Sequence, residues 1–294
     1  MPSPARRGPV SDSRRPDDQA EMERASPSRS QARPVRSPDD PFEFSTSGLS
    51  PFQTGLHRLM MINELRGGRG AYRLSHAGLG RSGYSFGPPQ WDLAQPGAMA
   101  KRQIVMEILI HAAESEGVLP LSALTAIDEG LAKRGRSRAV SHYREAIDAA
   151  LSSEFGRATI AGLYRSFLVE KETMVIHLGD IADHRAQSFL KTVAGGLCVA
   201  DYVNQFGPPT TLMRFLKGQT VRFNGQTHRL PRAMEFTHWV DYVTGTRFYS
   251  ATPAGIEDFR RRLTNVSIVA RQPRWRELVN TRADVLQAAL QNRT

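Results

Sequence analysis

A helix whose start and stop are both written in the sequence sets the frame for this chain. Ser50 opens it as an N-cap, Pro51 takes its first position, and Gln53 completes a capping box. Gly67 and Gly68 stop it. Between these signals Phe52, Leu56, Leu59, Met60 and Asn63 recur at helical spacing and share one face. A helix with one apolar stripe must be covered by other elements, so the rest of the chain has to supply them. Glu64, four residues on from Met60, stands at the edge of that stripe and at the helix end.

The covering elements read as helices. Ile104, Val105, Ile108, Leu109 and Ala112 mark one over about 101–116. Pro120 opens a second with Leu121, Leu124, Ile127 and Leu131, and a third runs over roughly 137–153 with Val140, Tyr143, Ile147 and Leu151. A fourth spans about 157–171, with Asp180 near a further helix start. The pattern from 182 to 206 is again helical, with Gly195 and Gly196 permitting close approach of a neighbour. Thr210 caps the short helix TTLMRFLKG. In QTVRFNGQTHRLP two short alternating strands flank Asn224-Gly225, the signature of a type I′ hairpin. A helix over 231–244 and two more after Pro253 complete the chain. The expected class is mainly α (α+β), a helical domain over 46–294 with one or two small β-hairpins. Residues 1–45 are rich in Ser, Pro, Arg and Asp, with almost no large apolar side chain before Phe42. Such a stretch cannot offset its ordering entropy and is expected to be a disordered leader.

Composition excludes several classes. No run approaches the ~20 apolar residues of a membrane helix, so no membrane span is expected. The first residues lack the apolar core of a Sec signal. A single cysteine, Cys198, excludes an internal disulfide and a cysteine metal cluster, and its small-residue surroundings suit a packed thiol. Histidines are dispersed, and HLGDIADH at 177–184 lacks an established metal spacing. No cofactor is implied. The net charge of +10 attracts polyanions, but it comes from 34 arginines and only 5 lysines, scattered along the chain. The clusters at 133–138 and 260–262 read as solvated helix ends. No nucleic-acid motif is present, and nucleic acid is not an expected partner.

Glu64 is the residue with chemical consequences. The carbonyl end of a helix disfavours a carboxylate, and partial burial acts in the same direction. Both favour a protonated carboxyl, the form a general acid needs. The segment that follows runs through a glycine-rich turn into GYSFGPPQWD. Glu64, Gly67, Gly68, Gly83, Tyr84, Ser85, Phe86, Gly87 and Gln90 together resemble the active-site entry of the lysozyme-like superfamily of muramidases, lytic transglycosylases and phage endolysins. A second likeness lies at Asp201, Asn204 and Gln205, similar to the Asp-x-x-Asn-Gln helix end of some endolysin-type members.

The resemblance implies a lysozyme-like catalytic domain that cleaves peptidoglycan or a related amino-sugar polymer. Glu64 is then the acid, and Asp201 or Asp92 the candidate for a second carboxylate. If neither comes opposite, the family's single-acid branch, the lytic transglycosylases, fits as well as a hydrolase. Tyr84, Ser85, Gln90, Asn204 and Gln205 become substrate-positioning groups, although Asn204 and Gln205 also suit a helix cap. The leader is similar in composition to those of bacterial type III secreted effectors, which implies export without a Sec signal, to act at the cell wall or periplasm, or else a cytoplasmic protein. The rival expectation is a non-catalytic effector or binding module whose basic surface docks on a host protein or polyanion.

Overall fold

The capping box forms as expected. In the computed structural model, which describes residues 36–65, 68–76, 82–207 and 209–292, Ser50 Oγ accepts from the Gln53 N–H at 3.1 Å and Gln53 Oε1 accepts from the Ser50 N–H at 3.3 Å. Helix α1 (Pro51–Asn63) buries Phe52, Leu56, Leu59, Met60 and Asn63. Each fully buried leucine contributes about 1.5–3 kcal/mol relative to exposure. Gly68 adopts φ +92, a left-handed value that suits the chain reversal after α1. Gly67 lies outside the described residues.

After α1 come three short antiparallel strands, β1 (Ser75–His76), β2 (Tyr84–Phe86) and β3 (Trp91–Asp92), in the order β1-β2-β3. Their register pairs Ser75 with Ser85, and Phe86 with Trp91. At the tip, Gly87 (φ +71) lies directly against the Trp91 ring, where a β-carbon would collide. Helices α2 (Met99–Ser115), α3 (Leu124–Leu131, preceded by a 3₁₀ turn at Leu121–Ala123), α4 (Arg138–His142), α5 (Arg144–Ser152) and α6 (Glu154–Ile181) follow. Then come α7 (His184–Leu190), α8 (Val193–Phe206), α9 (Thr210–Leu216), the hairpin β4–β5 (Val221–Phe223, Gln226–His228), α10 (Phe236–Gly245), α11 (Arg247–Ser250), α12 (Pro253–Val269) and α13 (Pro273–Gln291). The fold is mainly α with small antiparallel strands. No helix among the described residues is long and apolar enough to cross a membrane. Asn224 (φ +50) and Gly225 (φ +74) turn the hairpin as expected.

Several boundaries differ from expectation, each for a local reason. The helix over 137–153 breaks at Tyr143, because α4 packs on α3 whereas α5 packs on α2 and α6. The fourth helix starts earlier, capped by Ser153, and runs on to Ile181, since Val175 and Leu178 extend its buried face. At 28 residues, α6 is about 42 Å long. Asp180 lies within α6 rather than at a start; Asp183 caps α7 instead. The single helix over 182–206 is two, parted where Thr192 donates to the Phe189 carbonyl (2.7 Å) and accepts from the Gly195 N–H (2.9 Å). Thr210 is the first residue of α9 rather than its cap, and α10 begins at Phe236 rather than near Pro231.

Helix α8 is buried along its length from Gly195 to Val203 and packs on α1, α6, α7 and α12. Its glycines do the job expected of them. A β-carbon on Gly196 would meet the Phe52 ring and Val175 at 3.1 Å, and one on Gly195 would overlap the Phe189 carbonyl oxygen. Because that obstacle is backbone, Gly195→Ala is expected to cost about 1–3 kcal/mol, read as a lower urea midpoint. An unchanged midpoint would mean that α7 and α8 are not held at this spacing. Cys198 is packed inside the same helix, and burial pushes its thiol well above the ordinary range.

Part of the stretch expected to be a disordered leader is packed on the helices. Residues 1–35 lie outside the described residues, whereas 36–44 are docked. The nearly buried Arg157 donates to the Ser37 carbonyl (2.8 Å) and Asp40 (2.7 Å) and lies over the Tyr72 ring. Phe42 packs against Tyr72 and Tyr164, and Phe44 against His57 and Tyr164. Two phenylalanines inside a polar stretch, meeting aromatic partners far along the chain, fix it together with Arg157.

Candidate active site

Six of the eight residues nominated from the sequence, Glu64, Ser85, Gln90, Asp92, Asn204 and Gln205, line one groove of about 980 Å³. Ligand clefts run to about 300–1,000 Å³, so this one is large. The strands β1–β3 and the loop to α2 contribute much of its lining, together with α6 and the carbonyl end of α8. Chain elements more than a hundred residues apart are joined here, which is what the packing of α1 on α8 and α12 achieves.

Glu64 is the C-cap of α1, its N–H still bonded to the Met60 carbonyl at 2.9 Å. Its side chain is 14% exposed, enough to meet a ligand from the groove. Oε1 accepts from Arg262 Nη2 at 2.9 Å and from Asn204 Nδ2 at 3.4 Å. The helix-end position matches the expectation, but the sequence argument for a protonated acid included no cation, and the structure supplies one.

Arg262 organises the site. It lies on α12 with 6% exposure and gives one guanidinium nitrogen to Glu64, another to Asp201 (2.9 Å), and Nε to Asp258 (3.3 Å). Asp201 also accepts from Asn63 Nδ2 at 2.9 Å. Glu64 and Asp201 are therefore brought together on two arms of one guanidinium. Burial works against the Arg262 cation, yet Asp201 and Glu64 outweigh it and hold the group above the ordinary arginine range. Burial likewise pushes the Asp201 carboxyl up; Arg262 pulls it back and the charge of Glu64 pushes it further up.

The arginine run at 260–262 is thus no solvated helix end. Arg260 pairs with Asp284, Arg261 with Asp258, and Arg262 is internal. A signal was available: Arg262 stands three after Phe259 and four before Val266, on the buried stripe of α12. An arginine on an apolar stripe requires buried acids.

Two nominated residues do not reach the groove. Asp201 is 3% exposed and lies behind Arg262, so its position is that of a buried anchor for the arginine. Tyr84 is buried in the sheet, its hydroxyl accepting the Ser137 N–H at 3.0 Å and its ring edge against His76. It cannot stack on a ligand, because its alternation in β2 turns it inward. Tyr84→Phe is expected to destabilise by about 1 kcal/mol through the lost acceptor. Affinity for any groove ligand should stay the same; a weakened titration would restore Tyr84 to the site.

Other lining groups are engaged in holding the groove's shape. Gln90 (φ +53) accepts from Ser75 Oγ at 2.5 Å and donates to the Gly87 carbonyl at 3.0 Å, tying the β2–β3 turn to β1. Asp92 accepts from the N–H groups of Gly83 (3.2 Å) and Ala94 (2.9 Å) and from Gln95 Nε2 (3.0 Å). Gln205 donates to Asp258 at 2.9 Å and accepts from the Tyr249 hydroxyl. His76, Lys101, Phe167, Glu170 and Lys171 also line the groove and were not foreseen. No protein-family model, curated protein or solved structure matches the chain.

Proposed function

We propose that the chain is a glycosidase that cleaves peptidoglycan or a related amino-sugar polymer, with Glu64 as its general acid. The observation that carries this reading is the convergence on one groove of a partly exposed helix-end carboxyl with amide and hydroxyl groups from β2, its turn and α8. Glycoside cleavage needs a proton delivered to the leaving oxygen and stabilisation of an oxocarbenium-like centre. Glu64 faces the groove and is the group to deliver that proton. One guanidinium is divided among Glu64, Asp201 and Asp258, so it holds the three carboxyl groups in a fixed arrangement behind and beside the groove. Asn204 and Arg262 fix the Glu64 carboxyl, and Asp201 positions Arg262.

As the C–O bond breaks, the leaving oxygen takes the Glu64 proton. The carboxylate then receives a proton either from an attacking water or from a hydroxyl of the same sugar, which closes an anhydro ring. Reducing ends identify the first outcome and anhydro ends the second. The test is release of either product from purified peptidoglycan by the wild type, and its loss in Glu64→Gln. A second reading, a glycan- or protein-binding module without catalysis, is favoured by the ion pair that engages Glu64 and by the donors that surround Asp92. It predicts binding with no product from either protein.

A further inference from the structure

Only five of the 39 basic side chains are lysines, and two of the five, Lys101 and Lys171, line the groove. Lys101 stands in the first turn of α2, whose cap residue Ala98 makes no side-chain cap bond and whose first turn holds no acid. The helix dipole opposes a cation at that end. Lys171 is half-buried on α6, with Nζ 5.4 Å over the Phe167 ring. Burial pushes its amine down, Lys101 pushes in the same direction, and only the neighbouring Glu170 opposes them. Among the described residues neither lysine has a carboxylate at ion-pair distance, and Glu170, exposed in the same groove, makes no ion pair with either.

Elsewhere in this molecule buried or half-buried cations are matched: Arg157 with Asp40, Arg144 with Asp148, Arg262 with three acids. Two amines held within range of mutual repulsion, from separate helices, with an aromatic face beneath one of them, are the exception. Their missing partner is an anion that enters from the groove, and an ammonium pair binds a carboxylate by charge-assisted hydrogen bonds. We propose that Lys101 and Lys171 form a carboxylate-binding subsite, which makes the groove select amino-sugar polymers that carry acidic substituents over neutral ones. This rests on the reading of the groove as a glycan site and names the class of glycan.

The test uses the full chain carrying Glu64→Gln, so that ligands survive the titration. Its affinity for a soluble muropeptide, which carries carboxylates, is compared with that for a neutral N-acetylglucosamine oligomer of equal length. The muropeptide should bind more tightly, and the preference should shrink as salt rises. Lys101→Met and Lys171→Met should each weaken the muropeptide by about fivefold, the size of a partly exposed charge pair, and leave the neutral oligomer unchanged. Lysine-to-arginine variants should keep the preference. Equal affinity for both ligands, or equal losses for both in the methionine variants, overturns the subsite. If the preference holds but wild type releases no product from peptidoglycan, the glycosidase reading fails and the subsite stands. Cleavage with no preference has the opposite meaning.

Discussion

Glu64→Gln should lower product release from peptidoglycan by about two to four orders of magnitude, the usual contribution of a positioned general acid. The substitution keeps the side chain's shape, and its amide oxygen still accepts from Arg262 and Asn204. It removes the one thing the reading requires, a transferable proton facing the groove. Stability should change by no more than about 1 kcal/mol, because losing the Glu64 charge weakens a pair to Arg262 and at the same time relieves its push on Asp201. A rate loss with an unchanged urea midpoint supports the acid; equal rates for wild type and variant sink it.

Arg262→Met carries the largest structural penalty expected. It strands Asp201, at 3% exposure, and deprives Glu64 and Asp258 of their shared cation. Removing one partner of a buried charge pair costs about 3–5 kcal/mol. The loss should also depend on pH in a fixed direction. The Asp201 carboxyl is already pushed up by burial, and Arg262 is what pulls it back. Without the arginine, the folded chain holds a proton above pH values at which the unfolded chain has released it. Stability then falls as pH rises through that window. Urea titrations at acidic and neutral pH should show the gap to wild type widening toward neutrality. Adding Asp201→Asn should recover part of the loss at neutral pH. A deficit independent of pH would mean that the variant fails for lack of packing rather than charge.

What the sequence disclosed was what local chemistry decides. Ser50, Pro51 and Gln53 determine the start of α1 among themselves, and Asn224-Gly225 determines its own turn, so neither depends on distant parts of the chain. The groove was legible wherever a segment carries its site residues together, as in Ser85 to Asp92 or Asn204-Gln205. Tyr84 was misjudged because the facing of a three-residue strand is set by its partner β1, which has no signal of its own. Arg262 was missed because its neighbours Arg260 and Arg261 are surface pairs, and composition reads all three alike. Only the position of Phe259 and Val266 distinguishes it. The docking of residues 36–44 depends on Tyr72, Arg157 and Tyr164, partners that no local window includes.

The arrangement at the end of α1 has a consequence for the field inside the groove. Glu64, Asp201 and Asp258 are met by the guanidinium groups of Arg261 and Arg262, so the fully ionised cluster holds one more anion than cation. Asp201 contributes its part of that surplus from a buried position, out of reach of any ligand. The potential beside Glu64 in the groove is then set in part from behind, by a side chain that no occupant of the groove would touch.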